Sequence, residues 1–185
     1  DYDVILTTAS LSLRLAMIAP RLKAATIGWQ HNCYDGYLHV KPVVFWQQEN
    51  LLQQYLPNLD RYIVLSDYDK RDYMEKLGID CEVKINPRSF VSEKKCDVKS
   101  KRFLMATRFV YAKGLDLMME SFEEFCKEDS EWELDIIGDG DLFDQIRADA
   151  KKRHLEKRVH FVGYTNEPEK YYLNSSVFLL PSRWE

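Results

Sequence analysis

The chain has 185 residues, which at roughly 100–200 residues per domain makes one ordinary domain or two small ones. Hydrophobic residues at 45% and aromatics at 13% exclude disorder, and 26 Lys and Arg against 30 Asp and Glu leave a formal charge of −4, with no global basic field for nucleic acid. The cysteines at 33, 81, 96 and 126 form no C-x-x-C pair and are too few to staple a fold this long, so they read as thiols in a reducing compartment. No apolar run approaches the ~18–20 residues of a membrane helix and no leader opens the chain, so a soluble protein is expected. The first residue is not Met and the last directly follows an apolar strand, so we expect a fragment cut at both ends.

In chain order, short apolar runs alternate with stretches of helical period, the pattern of an α/β fold around parallel sheets. Val4–Leu6 predicts a strand, Leu11–Ile18 a helix stopped by Pro20, Ala24–Trp29 a strand, and Val43–Tyr55 a helix before Pro57. Tyr62–Leu65 is the next strand, followed by Ser66 as the cap of a helix over Tyr68–Leu77, Gly78 as its stop, and Val83–Ile85 as another strand. Residues 86–101 break the rhythm with Pro87 and unpatterned charge. We therefore expect one piece at 1–88, a linker at 89–101 and a second piece at 102–185.

In the second piece the alternation restarts with a strand over Phe103–Ala106 and a helix over Leu115–Lys127. A strand over Leu134–Ile137, a helix over Leu142–Arg153 and a strand over Val159–Val162 follow, then a short helix over Pro168–Leu173 and a strand over Val177–Leu180. The basic run 151–158 reads as a solvated helix end, and Glu120, Glu123 and Glu124 as the wet face of a helix. Phe161, Tyr164, Tyr171, Tyr172 and Phe178 read mostly as core.

Open parallel sheets carry ligands at the carboxyl ends of their strands. After Phe103–Ala106, the loop Thr107-Arg108-Phe109-Val110-Tyr111-Ala112-Lys113-Gly114 sets Arg108 and Lys113 where both can reach one anion. The helix behind them opens with free N–H groups and a partial positive charge, so a phosphate or diphosphate suits the loop. Two solvated cations paired with Asp116 and Glu120 suit the same spacing. Gly138-Asp139-Gly140-Asp141 predicts a tight turn with Asp141 as a helix cap; Phe143 stands where G-x-G-x-x-G needs its third glycine, so no nicotinamide site is read. At Gly163-Tyr164 the glycine either lets the backbone face a flat ring or makes a plain turn. Glu185 is either a carboxylate for sugar hydroxyls or ordinary surface. Beside the cationic loop no two-His-one-carboxylate set or Asp pair has metal-ligand spacing.

Four segments in order and spacing carry a resemblance: Thr107-Arg108 with Lys113-Gly114, Ile137-Gly138-Asp139-Gly140, Val159-His160-Phe161-Val162-Gly163, and Pro181-Ser182-Arg183-Trp184-Glu185. Together residues 102–185 resemble the first half of the C-terminal domain of glycosyltransferase family 4, retaining nucleotide-sugar enzymes of GT-B architecture. Residues 61–87 resemble the end of that family's N-terminal domain. The resemblance implies two Rossmann-like parallel-sheet pieces, both incomplete.

It also implies that Arg108 and Lys113 bind the donor diphosphate, with no metal and no cofactor. Glu185 matches the first of two glutamates separated by seven residues, a clamp on donor sugar hydroxyls, and Gly163 and Tyr164 resemble the turn facing the nucleobase. His31 resembles the N-domain histidine facing the donor sugar, though a histidine after a strand is also a common structural residue. The implied activity is retaining transfer of a hexose from a nucleoside-diphosphate sugar to a hydroxyl of a saccharide or lipid-linked acceptor, in polysaccharide or glycoconjugate synthesis. The expected location is the cytoplasm, with peripheral association at the inner face of the membrane allowed and no nucleic-acid partner. Because the family's front glycine loop and second glutamate are missing, residues 1–185 alone are expected to transfer no sugar. The competing reading is a non-catalytic nucleotide-binding α/β interaction module that keeps Arg108 and Lys113 for binding alone. A receiver-type module would need acids where Arg108 stands.

Overall fold

A computed structural model describes residues 2–40, 47–88 and 91–184. The chain divides into two compact units, residues 1–89 with Trp184, and residues 90–183.

In the first unit, β1 (Val4–Thr8), α1 (Ser10–Ile18), β2 (Ala25–Trp29), α2 (Tyr34–Leu38), α3 (Glu49–Tyr55), β3 (Arg61–Val64), α4 (Asp67–Leu77) and β4 (Glu82–Val83) follow in order. The four strands are parallel in the order β1-β2-β3-β4, and the register Thr8 to Trp29 to Ile63 brings their carboxyl ends to one edge. Leu13, Leu15, Ala16, Leu52, Leu56, Val64 and Leu77 make an aliphatic core, into which Tyr34, Tyr37, Tyr62 and Tyr73 are also buried. Ser66 acts as expected: its Oγ accepts from the Asp69 N–H at 3.1 Å and satisfies one of the free donors of α4, which Gly78 ends.

The expected helix over Val43–Tyr55 is corrected. Residues 41–46 lie outside the described residues, and regular helix begins only at Glu49. Gln47 has φ 54° and donates its N–H back to the Leu38 carbonyl, a turn that no α-helix can run through. The short α2 has too few residues to show a period; Cys33 Sγ caps it, accepting from the Gly36 N–H at 3.4 Å. His39 ties α2 to α3, its Nδ1 2.8 Å from Asp35 and its Nε2 2.8 Å from Glu49, and these carboxylates hold the imidazole pKa above its ordinary value.

The second unit holds β5 (Arg102–Ala106), α5 (Leu115–Glu128), β6 (Glu133–Ile137), α6 (Phe143–Lys152), β7 (Val159–Gly163), α7 (Pro168–Leu173) and β8 (Val177–Phe178). All strands are parallel, in the order β7-β6-β5-β8. The apolar stripe of α5, with Leu115, Met118, Met119 and Phe122, closes over Met105, Leu134 and Ile136. Asp135 is buried in this sheet and is neutralised by Arg102, whose Nη1 donates to it at 2.9 Å. From Ser92 onward the segment before β5 is tied to the same unit: Ser92 Oγ donates to Glu169, and the Asp97 N–H to the Leu173 carbonyl.

Three surface readings change. Arg158 donates to the carbonyls of Trp132 and Asp129, at 2.6 and 3.1 Å, so it braces the turn into β6. Arg153 pairs with Asp149 at 2.8 Å and with Glu123, so neither that arginine nor Glu123 is merely solvated. Asp141 caps nothing, because α6 begins one residue later than a cap there requires and Leu142 stands at its N-cap. All four cysteines are free thiols. Among the described residues no helix is long and apolar enough to cross a membrane.

The Ser66 cap is testable: Ser66→Ala should lower the unfolding free energy by about 1 kcal/mol, read from the urea midpoint, while Ser66→Thr, whose hydroxyl can both accept from the Asp69 N–H and donate to the Asp69 carboxylate, retains most of it. An unchanged midpoint in Ser66→Ala would show that the cap bond contributes nothing.

Candidate functional site

The carboxyl edge of the second sheet is assembled from loops that bond to one another through the main chain. After β5, the Thr107 N–H donates to the Ile137 carbonyl at 2.9 Å and the Phe109 N–H to the Asp139 carbonyl at 2.9 Å, while the Phe109 carbonyl accepts from the Leu142 N–H at 3.0 Å. The loops after β5 and β6 are thereby one piece. Phe109, fully buried within the loop, anchors it with its ring centroid 5.0 Å from that of Phe143 and 6.3 Å from that of Phe161. The Gly138 N–H donates to the Gly163 carbonyl at 2.8 Å, which adds the exit of β7.

Two glycines make this closeness possible. A Cβ on Gly138, which has φ 125°, would stand 1.8 Å from the Thr107 carbonyl oxygen. One on Gly114, which has φ 64° and precedes α5, would stand 2.1 Å from the Pro181 carbonyl oxygen. The Gly-Asp-Gly segment thus serves backbone approach between loops.

Arg183 completes the assembly. Its backbone N–H donates to the Ala112 carbonyl at 2.7 Å, and its Nη1 donates to the Tyr111 carbonyl at 2.9 Å. The guanidinium holds Asp116 through both carboxylate oxygens, at 2.8 and 2.6 Å, and lies 4.0 Å from the centroid of the Tyr111 ring. Arg183 holds the Asp116 carboxyl below the ordinary aspartate range against the opposing effect of burial, with the Leu117 N–H assisting. Asp116, named in the alternative reading as a counter-ion for the cationic loop, is engaged by Arg183. The two partners are 67 residues apart, and no spacing signal could have joined them.

On this frame Arg108 is exposed and, among the described residues, forms no ion pair; Lys113, half-buried, ends the short turn Tyr111–Lys113 before α5. Gly163 has φ 78° and open space around its Cα, and Tyr164 is 78% exposed. Glu185 lies outside the described residues. His31 belongs to the first unit, half-buried and stacked on Trp29 with ring centroids 5.4 Å apart. Arg108, Lys113, Gly163 and Tyr164 therefore share one edge of one sheet. Among the described residues no group of three or more His, Cys, Asp or Glu is gathered as a metal-ligand set. A cleft of about 610 Å³ between α6 and β7, lined by Phe143, Arg147, Lys151 and Phe161, includes none of these residues.

The family model for glycosyl transferases group 1 matches residues 89–185, more than half of the chain. The chain belongs to this family. An uncharacterized glycosyltransferase of Haemophilus influenzae is 27% identical over 128 residues, 68% of this chain and 36% of that protein. The alpha-monoglucosyldiacylglycerol synthase of Streptococcus pneumoniae is 23% identical over 214 residues, covering 100% of this chain and 48% of the relative. Among solved structures, TarM superposes with a TM-score of 0.79 at 21% identity, over 98% of this chain and 36% of TarM. This group 1 chain thus spans about a third to a half of the length of these relatives. Its fold is that of the GT-B glycosyltransferases, built from two Rossmann-like parallel sheets.

The glycine argument predicts a contrast between two glycines that both have positive φ. Gly138→Ala must push the Thr107 carbonyl away, and should cost well above the about 1–2 kcal/mol that positive φ alone imposes in Gly163→Ala. Equal denaturation midpoints for the two variants would refute the close-approach account. The Arg183–Asp116 pair predicts a pH dependence. A carboxyl with a depressed folded pKa contributes stability above its unfolded value and loses it as pH falls through the folded one. The stability gap between the wild-type chain and Arg183→Gln should therefore be full at neutral pH and narrow as pH falls below about 3.9, the unfolded aspartate value, leaving the part that the Tyr111 carbonyl and ring contribute. A gap independent of pH would remove the pair as its cause.

Proposed function

We propose that this chain is part of a retaining glycosyltransferase that moves a hexose from a nucleoside-diphosphate sugar to a hydroxyl acceptor in polysaccharide or glycoconjugate synthesis. The observation that supports this most is Arg108, an exposed guanidinium without an ion-pair partner among the described residues, on a loop held by main-chain bonds and by Arg183. When a sugar–phosphate bond breaks, negative charge builds on the leaving diphosphate. A cation already in place stabilises that charge without reorganising, and the planar guanidinium suits two phosphate oxygens at once. Lys113 on the same loop supplies the second charge. In this reading the two cations, and no metal or cofactor, neutralise the diphosphate.

Gly163 and Tyr164 then border the nucleobase, Glu185 clamps hydroxyls of the donor sugar, and His31 faces that sugar. UDP is the first base to test, because a point mutant of S. aureus TarM was crystallised with UDP, fondaparinux and alpha-GlcNAc-glycerol, and pneumococcal GtfA with UDP and GlcNAc. A saccharide or lipid-linked acceptor is consistent with relatives named poly(ribitol-phosphate) alpha-N-acetylglucosaminyltransferase and alpha-monoglucosyldiacylglycerol synthase. We assign the reaction to the cytoplasm, with peripheral contact to the membrane where the acceptor is a lipid.

Calorimetric titration with UDP, GDP and ADP tests the site. Arg108→Ala and Lys113→Ala should each weaken binding of the preferred nucleotide roughly ten- to 150-fold, the equivalent of about 1.5–3 kcal/mol for a charge-assisted contact, while the fold remains intact. Affinity unchanged in both variants would reject the site. Chelator should leave binding unaltered; loss restored by magnesium or manganese would reject the metal-free reading. Turnover of a sugar nucleotide by the parent chain extended at both ends separates a transferase from a binding module, which gives none.

A further inference from the structure

We infer that Gln30 is a positioning residue for His31: its buried carboxamide shapes the turn on which that imidazole stands. The inference rests on the reading of His31 as a residue facing the donor sugar.

Gln30 directly follows β2 and is 1% exposed. Its backbone N–H donates to the Ile63 carbonyl of β3 at 2.8 Å, which prolongs the ladder one residue past Trp29 and fixes the main chain there. The side chain then serves the next two residues. Its Oε1 accepts from the His31 N–H at 2.9 Å and from the Asn32 N–H at 3.3 Å, giving a partner to two donors where the strand has ended and no ladder remains. Two donations to one atom also determine which end of the amide is the oxygen.

The other end of the carboxamide, Nε2, is buried and has no hydrogen-bond partner among the described residues, in a region where burial raises the pKa values of Tyr37 and Tyr73. Burying an amide with one end unpaired works against stability, so packing alone would favour Leu or Met at this position. What an apolar residue cannot supply is the acceptor for His31 and Asn32. The stacking partner is also held in place. Ala9 takes the uncommon φ of 47° for a non-glycine residue and donates its N–H to the Trp29 carbonyl at 3.0 Å, and the Trp29 ring stacks on that of His31 at an interplanar angle of 24°. The imidazole is therefore constrained through its own main chain by Gln30 and across its ring by Trp29.

The test is NMR on the chain itself. His31 ring protons should be displaced upfield by the Trp29 face. Gln30→Met should abolish that displacement while leaving the signals of His154 and His160 in place, and Gln30→Glu, which retains an acceptor oxygen, should restore it. An unchanged His31 signal in a folded Gln30→Met overturns the inference, as does failure of Gln30→Glu to restore it in a folded chain. Should the methionine variant not fold, hydrogen exchange in the wild-type chain decides: the His31 and Asn32 amides should be protected roughly tenfold or more, the factor that about 1.4 kcal/mol provides, and unprotected exchange at both overturns the inference. These readouts do not depend on sugar chemistry. The reading of His31 fails separately, if His31→Ala in the parent chain extended at both ends leaves affinity for the sugar nucleotide and its turnover unchanged.

Discussion

A single methyl group added at residue 138 would meet the Thr107 carbonyl oxygen at 1.8 Å, and much of the second unit is arranged around that lack of space. With the backbones this close, the Phe109 main chain bonds into the loop after β6, and its ring can enter the core beside Phe143 and Phe161. The loop thus acquires a buried anchor. The conformation of Arg108 and Lys113 is set by main-chain bonds on both sides, so the protein has already met the entropy cost of ordering that loop before any anion arrives.

The charges of this unit divide by whether they are partnered. Arg102, Arg153, Arg158 and Arg183 each bond to carboxylates or carbonyls and brace strands, helix ends or loops. Arg108, like Arg147, forms no ion pair among the described residues, and it stands at the carboxyl edge where parallel sheets present their ligand groups. On the proposed reading, an exposed arginine on a loop held by main-chain bonds suits electrostatic stabilisation of a leaving diphosphate.

The first unit handles its polar groups differently. It buries four tyrosines and the Gln30 carboxamide in one layer, with the Tyr62 and Tyr73 hydroxyls 3.4 Å apart. Such a layer fixes side chains by direction as well as by volume, which suits a β2 exit where two successive donors need a shared acceptor.

How much of this was legible from sequence depended on range. The alternation of strands and helices, the Ser66 cap, the Gly78 stop and the cationic loop after β5 all depend on residues close together in the chain, so period and spacing exposed them. The helix expected from Val43 failed at Gln47 because its N–H has a tertiary use, the Leu38 carbonyl, that composition does not encode. Asp116 looked available to Arg108 and proved to belong to Arg183, and Glu123 looked solvated and proved to hold Arg153. By itself the sequence determined the α/β class, the order of the strands and longer helices, and the residues that carry the family resemblance. The tertiary structure alone decided which charges are spent on bracing, which glycines are obligatory and which buried amide serves a turn. These depend on atoms brought within a few ångströms across long stretches of chain, and local patterning carries no record of such distances.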